Sequence, residues 1–133
     1  MKLSHPPLRP PVRQSPRQRQ GQQFEQLALR YLQGQGLLLL ARNYCCRVGE
    51  LDLVLRERDT LVFVEVRYRR QSEFGSALES IGRGKQLRVI RAAQHFLQRH
   101  PHYADLCCRF DVVALDAEGF GDTRIEWIRN AFM

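Results

Sequence analysis

No uncharged apolar run in this sequence approaches the roughly 20 residues needed to cross a bilayer. The longest, Leu37 to Ala41, is far too short, so no membrane partner is expected. Nor does an apolar stretch follow the basic N-terminus, which offers mainly Pro, Arg, Gln and Ser; the hydrophobic segment of a secretory signal is missing. The chain reads as soluble and cytoplasmic. Acidic residues are also absent from the first twenty positions, where Lys2, Arg9, Arg13, Arg17 and Arg19 take five of the formal +7 and leave the rest of the chain at only +2. A basic balance favours a polyanionic partner, because clustered Lys and Arg release counterions from phosphates. Concentrated in a tail, it fits a solubilising extension as well as a nucleic-acid-contacting arm.

The C-x-x-C spacing that wraps a tetrahedral zinc is missing too. The four cysteines stand as adjacent pairs, Cys45-Cys46 and Cys107-Cys108. In strands, neighbouring side chains point to opposite faces and cannot easily share one ion. They read as reduced, small apolar filler.

What is present suits one domain. Residues 1–20 hold five of the six prolines and almost no large apolar residue, so they are expected to form a disordered, basic, Pro-rich tail. The folded part is expected over 21–133. From Gln22, the positions Phe24, Leu27, Ala28, Tyr31 and Leu32 recur at helical spacing, and Gly34 and Gly36 end the run. Leu37 to Tyr44 reads as a strand. The alternation after Gly49 and the β-branched run from Leu61 to Val66 read as two more, joined by a turn at Arg58-Asp59. A Gly-containing loop from Phe74 to Gly84 leads into a second helix, Lys85 to Arg99. Strands Arg109 to Leu115 and Arg124 to Ile128 follow, separated by a turn at Glu118 to Gly121. The order α-β-β-β-α-β-β predicts an α/β fold, a mixed sheet flanked by helices.

The chemistry concentrates in Gly49-Glu50-Leu51-Asp52 and Phe63-Val64-Glu65-Val66-Arg67. With a two-residue loop, Glu57 faces Thr60, Asp52 faces Glu65 and Glu50 faces Arg67. The four polar side chains then share one face, and Leu51, Leu53, Val64 and Val66 the other. Opposed carboxylates repel unless something positive lies between them. Hydrated Mg²⁺ or Mn²⁺ supplies that charge, taking one or two carboxylates plus waters and phosphate oxygens. Such a site suits phosphodiester hydrolysis. The plainer reading is an exposed face bearing a Glu50–Arg67 ion pair, worth only ~0–1 kcal/mol. The apolar surroundings of Glu65 favour the site, since an unpaired charge in a central strand is costly.

On the second helix, Lys85, Arg88 and Arg91 form a basic line continued by His95, opposite the stripe Leu87, Ile90, Ala93 and Leu97. That line is either a phosphate track or a solvated face. Arg67, Arg69 and Arg70 leave the acidic strand and are candidates for contacts to a nucleic-acid backbone. Asp111, in an apolar strand, reads as a structural carboxylate pairing with Arg109 or Arg47. Trp127 reads as core packing, and His100 and His102 as surface residues.

These residues also carry a resemblance. The stretches Glu25-Gln26-Leu27-Ala28, Ala41-Arg42-Asn43-Tyr44, Gly49-Glu50-Leu51-Asp52-Leu53 and Asp59-Thr60-Leu61-Val62-Phe63-Val64-Glu65-Val66 resemble the YraN-type family of small bacterial proteins. So do Phe74-Gly75, Lys85-Gln86, Arg109-Phe110-Asp111-Val112-Val113 and Ile125-Glu126-Trp127-Ile128-Arg129-Asn130-Ala131-Phe132. That family is similar in motif to the restriction-endonuclease-like superfamily, including archaeal Holliday-junction resolvases. The resemblance implies a restriction-endonuclease-like core acting on nucleic acid, DNA in the first instance. It makes Glu25 a helical carboxylate, Asp52 and Glu65 metal ligands, and Arg67 the occupant of a lysine position. Related resolvases act as dimers, so a homodimer is the assembly to look for. Two residues depart from the pattern: Phe24 stands where a Gly usually precedes the helical Glu, and Arg67 replaces the Lys. A guanidinium stays charged and cannot serve as a base, though it can orient a phosphate. Three functions therefore compete: a metal-dependent endonuclease, a non-catalytic nucleic-acid-binding module, and a protein–protein adaptor that uses the basic tail.

Overall fold

A computed structural model describes residues 15–70, 81–118 and 122–133, without the side chains of 17, 69, 70, 117, 118 and 122. Its elements are α1 (Pro16–Gly34), β1 (Leu38–Cys46), β2 (Gly49–Glu57), β3 (Thr60–Arg70), α2 (Arg83–Arg99), β4 (Cys107–Glu118) and β5 (Asp122–Phe132), with a single 3-10 turn at Pro101–Tyr103 before β4. The order matches the one expected.

Helix α1 begins six residues before Gln22, inside the stretch assigned to the tail from its composition. The cause is local. Ser15 accepts from the Gln18 backbone nitrogen at 3.2 Å, and the Gln18 side chain accepts from the Ser15 nitrogen at 2.9 Å. This reciprocal cap, with Pro16 at the first helical position, starts a helix where hydrophobic periodicity gives no sign of one. Residues 1–14, most of the expected 74–84 loop and the centre of the 118–121 turn lie outside the described residues.

The five strands form one sheet in the order β1-β2-β3-β4-β5. All neighbours pair antiparallel except β3 and β4, which are parallel; α2 supplies the crossover such a pair requires. Strand β3 is therefore central. Leu61, Val62, Phe63 and Val64 are all buried, which explains a continuous apolar run in place of an alternating one. Leu61 and Phe63 pack toward α2, with Val89, Ala92, Ala93 and Phe96. Val62 and Val64 pack toward α1, with Ala28, Leu29 and Leu32. Burying one side chain of Phe96's size contributes ~1.5–3 kcal/mol. The buried stripe of α2 is thus Val89, Ala92, Ala93 and Phe96. Of the stripe expected there, Leu87, Ile90 and Leu97 are only half-buried.

The hairpin register is the one predicted, from Glu57↔Thr60 to Leu53↔Val64. The β2–β3 ladder stops there, so Asp52 and Glu65 are not a ladder pair, and Glu50 pairs with Cys45 of β1. The expected sharing of faces also fails at this point. Leu53, Val64 and Val66 pack on the α1 side, but Leu51 packs on the α2 side. The face changes at Asp52, beside Asn43 of β1, whose φ of 50° is left-handed. Regular alternation requires extended backbone throughout, and left-handed Asn43 interrupts it in β1.

Asp111 is fully buried and structural. It accepts from Arg109 Nε at 3.0 and 3.1 Å, from Trp127 Nε1 at 2.9 Å and from the Asn130 backbone nitrogen at 2.9 Å. Its anchor is Arg109, not Arg47, and it ties β4 to β5. Trp127 packs in the α1-side cluster, edge-on to Tyr31.

Candidate functional site

The interruption at Asp52 gathers polar groups where β2 leaves β3. Asp52 Oδ2 accepts from the Val66 backbone nitrogen at 2.9 Å, so a carboxylate takes over an amide that the ladder no longer serves. Glu65 is 4% exposed. By strand alternation its side chain and that of Arg67 lie on the α2 side.

The two carboxyl groups are hydrogen-bonded to each other. Burial pushes the Glu65 carboxyl up to about 8; the Asp52 charge adds to this, while Lys85 and Arg67 oppose it. Burial also raises Asp52, against the hydrogen bonds from Val66 and Glu65 and the charge of Lys85. Glu65 therefore holds the proton and donates a hydrogen bond to Asp52. Two buried carboxylates this close cannot both stay ionised without a counter-charge.

Glu25 of α1 joins the same electrostatic group. Its carboxyl is raised by burial and by the charge of Asp52, against hydrogen bonding from Asn43 and the charge of Arg42. With the Asn43 amide nitrogen turned toward it, Asn43 donates to both Glu25 oxygens at 3.0 and 3.2 Å. The left-handed backbone at Asn43, a conformation Asn tolerates better than most residues, thus serves the site as well as the strand. Arg42 is held in turn by Gln26, one residue after Glu25. Phe24, the departure noted above, stacks on Tyr68 with ring centroids 4.1 Å apart.

Of the two readings of the basic line of α2, a phosphate track or a solvated face, Lys85 does not fit the solvated one. It is drawn in from the solvated line of α2, is 24% exposed, and sets Nζ 3.7 Å from Glu65 Oε1. His95 also turns inward and hydrogen-bonds the Tyr44 hydroxyl. Arg88 and Arg91 remain exposed. The predicted basic line is therefore divided between the site and the surface. The side chains of Arg69 and Arg70 lie outside the described set. The sequence reading missed Asn43, although Arg42-Asn43-Tyr44 stood in a stretch that carried the resemblance. It also missed the contact between Lys85 and Glu65, which no spacing could reveal, since it depends on where α2 crosses the sheet.

Among the described residues no three His, Cys, Asp or Glu side chains stand in ligating arrangement. The donor set is a carboxyl pair, Asp52 and Glu65, with Glu25 held back by Asn43. Two carboxylates suit a small hard divalent cation that takes its other oxygens from water and substrate, not a softer metal requiring several protein ligands.

The family model described as uncharacterised protein family UPF0102 matches residues 24–115. A UPF0102 protein of Pseudomonas putida is 55% identical over 114 residues, 86% of this chain and 93% of the relative. One from Nitrosococcus oceani is 54% identical over 112 residues, 84% and 90% of the two chains. A third, from Stutzerimonas stutzeri, is 55% identical over 115 residues, 86% and 95%. The match takes in α1 from Phe24, all of the acidic hairpin, α2 and β4 as far as Leu115, and on this similarity the chain belongs to the UPF0102 family.

Proposed function

We propose that the protein is a divalent-metal-dependent phosphodiesterase acting on nucleic acid, DNA in the first instance, with Asp52 and Glu65 as the metal-binding carboxylates. The observation that carries this is the buried pair itself. A carboxyl whose proton is shared with a neighbouring carboxylate is a place where a cation replaces the proton and relieves the repulsion. Mg²⁺ or Mn²⁺ would supply Lewis-acid polarisation of a phosphate and of water there. The chain's own residues do the rest. Val66 fixes one Asp52 oxygen and leaves the other for the cation. Asn43 orients Glu25, which adds negative charge beside Asp52. Lys85 and Arg67, whose positive charge both carboxyl groups or Glu65 already feel, would hold the phosphate and stabilise the charge that develops on it.

A second reading, a nucleic-acid-binding module without turnover, is favoured by Arg67, which cannot take a proton from water. One set of measurements separates the two. Calorimetric titration with Mn²⁺ should show binding by wild type and none by Asp52→Asn; equal binding by both removes the metal site from either reading. A cleavage panel of junction, flap, duplex and single-stranded DNA, with Glu65→Gln as control, should show metal-dependent cutting by wild type alone. Metal and DNA binding without cutting would establish the second reading.

A further inference from the structure

On the α2 side, the β1–β2 turn and the helix enclose a cleft lined by Cys45, Cys46, Arg47, Val48, Lys85 and Arg88. It continues along the same turn to His95 and Arg99. At Gly49 the turn lies against the helix: a Cβ there would stand 2.5 Å from the Arg88 carbonyl oxygen, so only glycine permits this approach. The cleft therefore has a fixed wall.

Its charge is one-sided. Arg47, Arg88 and Arg99 are exposed and enter no ion pair among the described residues, whereas Arg109 and Arg129 are both engaged by Glu57. The acidic residue lining the cleft is Glu50, whose charge reaches both Asp52 and Glu25. Lys85, at the same end, sets Nζ 3.7 Å from Glu65 Oε1, so that end lies beside the carboxyl pair and the basic end runs away from it. We infer that this cleft is the track for one nucleic-acid strand, its phosphates passing from Lys85 beside the carboxyl pair, along Arg88 and Arg47, to Arg99. The inference rests on the phosphodiesterase reading and adds the path of the substrate. Lys85 and Arg99 are about 21 Å apart along the helix axis at ~1.5 Å per residue, about six steps of a strand stacked as in duplex DNA at ~3.4 Å each. A row one cation wide fits one strand and positions it without reading bases. Arg91, predicted on the same line, lines neither part of the cleft.

The test compares two double variants of equal charge: Arg47→Gln with Arg99→Gln, at the far end of the track, and Arg30→Gln with Arg58→Gln, elsewhere on the surface. Binding of a labelled DNA of about twelve nucleotides, single-stranded and duplex, is measured by anisotropy across a salt series, with and without Mn²⁺. The track pair should lose about tenfold in affinity at low salt and one to two units of salt slope, while the control pair stays within about twofold of wild type. Equal losses in both pairs, or none in the track pair, would overturn the track and leave the phosphodiesterase reading standing. Failure of wild type to bind either DNA under any of these conditions would overturn both. A measurement on unaltered protein supplies an independent check, because Cys45 lines the cleft and Cys107 lies outside it, both exposed and free. Bound DNA should protect Cys45 from alkylation and leave Cys107 reactive; protection of neither or of both counts against the track.

Discussion

Asp52 of β2 accepts the backbone amide of Val66 in β3 at 2.9 Å, at the point where main-chain pairing between the two strands ends. The carboxylate therefore has a structural duty in addition to its proposed chemical one. Asp52→Ala should leave a partly buried N–H unsatisfied and destabilise the fold by ~1–3 kcal/mol. Asp52→Asn keeps an accepting oxygen and should stay within ~1 kcal/mol of wild type while losing Mn²⁺ affinity. Urea unfolding alongside calorimetry reads both effects; an Asn variant as unstable as the Ala variant would mean the hydrogen bond depends on charge.

The protonated pair makes stability depend on pH. Glu65 in the folded protein titrates at about 8, above the ordinary 4.5, so the native state holds this proton more tightly than the unfolded chain. Its contribution is complete below about pH 4.5 and is lost as pH rises toward 8, by up to ~1.4 kcal/mol per pH unit for one proton. Glu65→Gln should flatten this loss in urea unfolding measured between pH 5 and 9, and make the variant more stable than wild type near pH 8. Added Mn²⁺ should stabilise wild type more at pH 8 than at pH 6, since the cation competes with the proton. A variant with the slope of wild type would rule out Glu65 as the group responsible.

Lys85 opposes the rise in both carboxyl groups. Replacing it with Met should extend the pH-dependent loss of stability to higher pH while its onset stays near 4.5, because Glu65 then keeps its proton longer in the folded protein, and should weaken cleavage at least tenfold. Lys85→Arg should restore the pH behaviour. An unmoved profile in Lys85→Met would place the amine outside the carboxyl pair in solution.

Arg67 is the residue at which binding and turnover part company. Arg67→Lys should raise metal-dependent cleavage about tenfold or more with little change in DNA affinity, since an amine can release a proton where a guanidinium cannot. Kinetics at saturating DNA make the comparison; a rate equal to that of wild type would show that this position does not limit the reaction.

Asp111 should behave unlike the other carboxylates. With its oxygens bonded to Arg109, Trp127 and Asn130, Asp111→Ala should cost ~1–3 kcal/mol for each of the two N–H groups, of Trp127 and Asn130, left without an acceptor, while Arg109 keeps Glu57. Mn²⁺ affinity in the folded fraction should be unchanged. Thermal unfolding gives the first quantity and calorimetry the second.

The order of elements and the hairpin register were legible because they rest on local chemistry: helical spacing, a two-residue turn, and apolar strand runs on either side of it, Leu53 to Leu55 and Leu61 to Val64. Alternation failed as a guide at Asp52, where Leu51 and Leu53 pack on opposite sides of the sheet although their spacing is that of one face. The start of α1 was obscured by a composition argument that treated Ser15-Pro16-Arg17-Gln18 as tail, although the same four residues spell a capping box. The inward turn of Lys85 was unreadable in principle. It follows from the packing of Val89, Ala92 and Phe96 against β3, which fixes where the first turn of α2 meets the sheet.

Phe24 and Tyr68, stacked at 4.1 Å, are the immediate neighbours of Glu25 and Arg67. The ring pair acts as a gauge block between the helix that carries one charge and the strand that carries the other. Two side chains that have no charge of their own thus join the helix that bears Glu25 to the strand that bears Arg67.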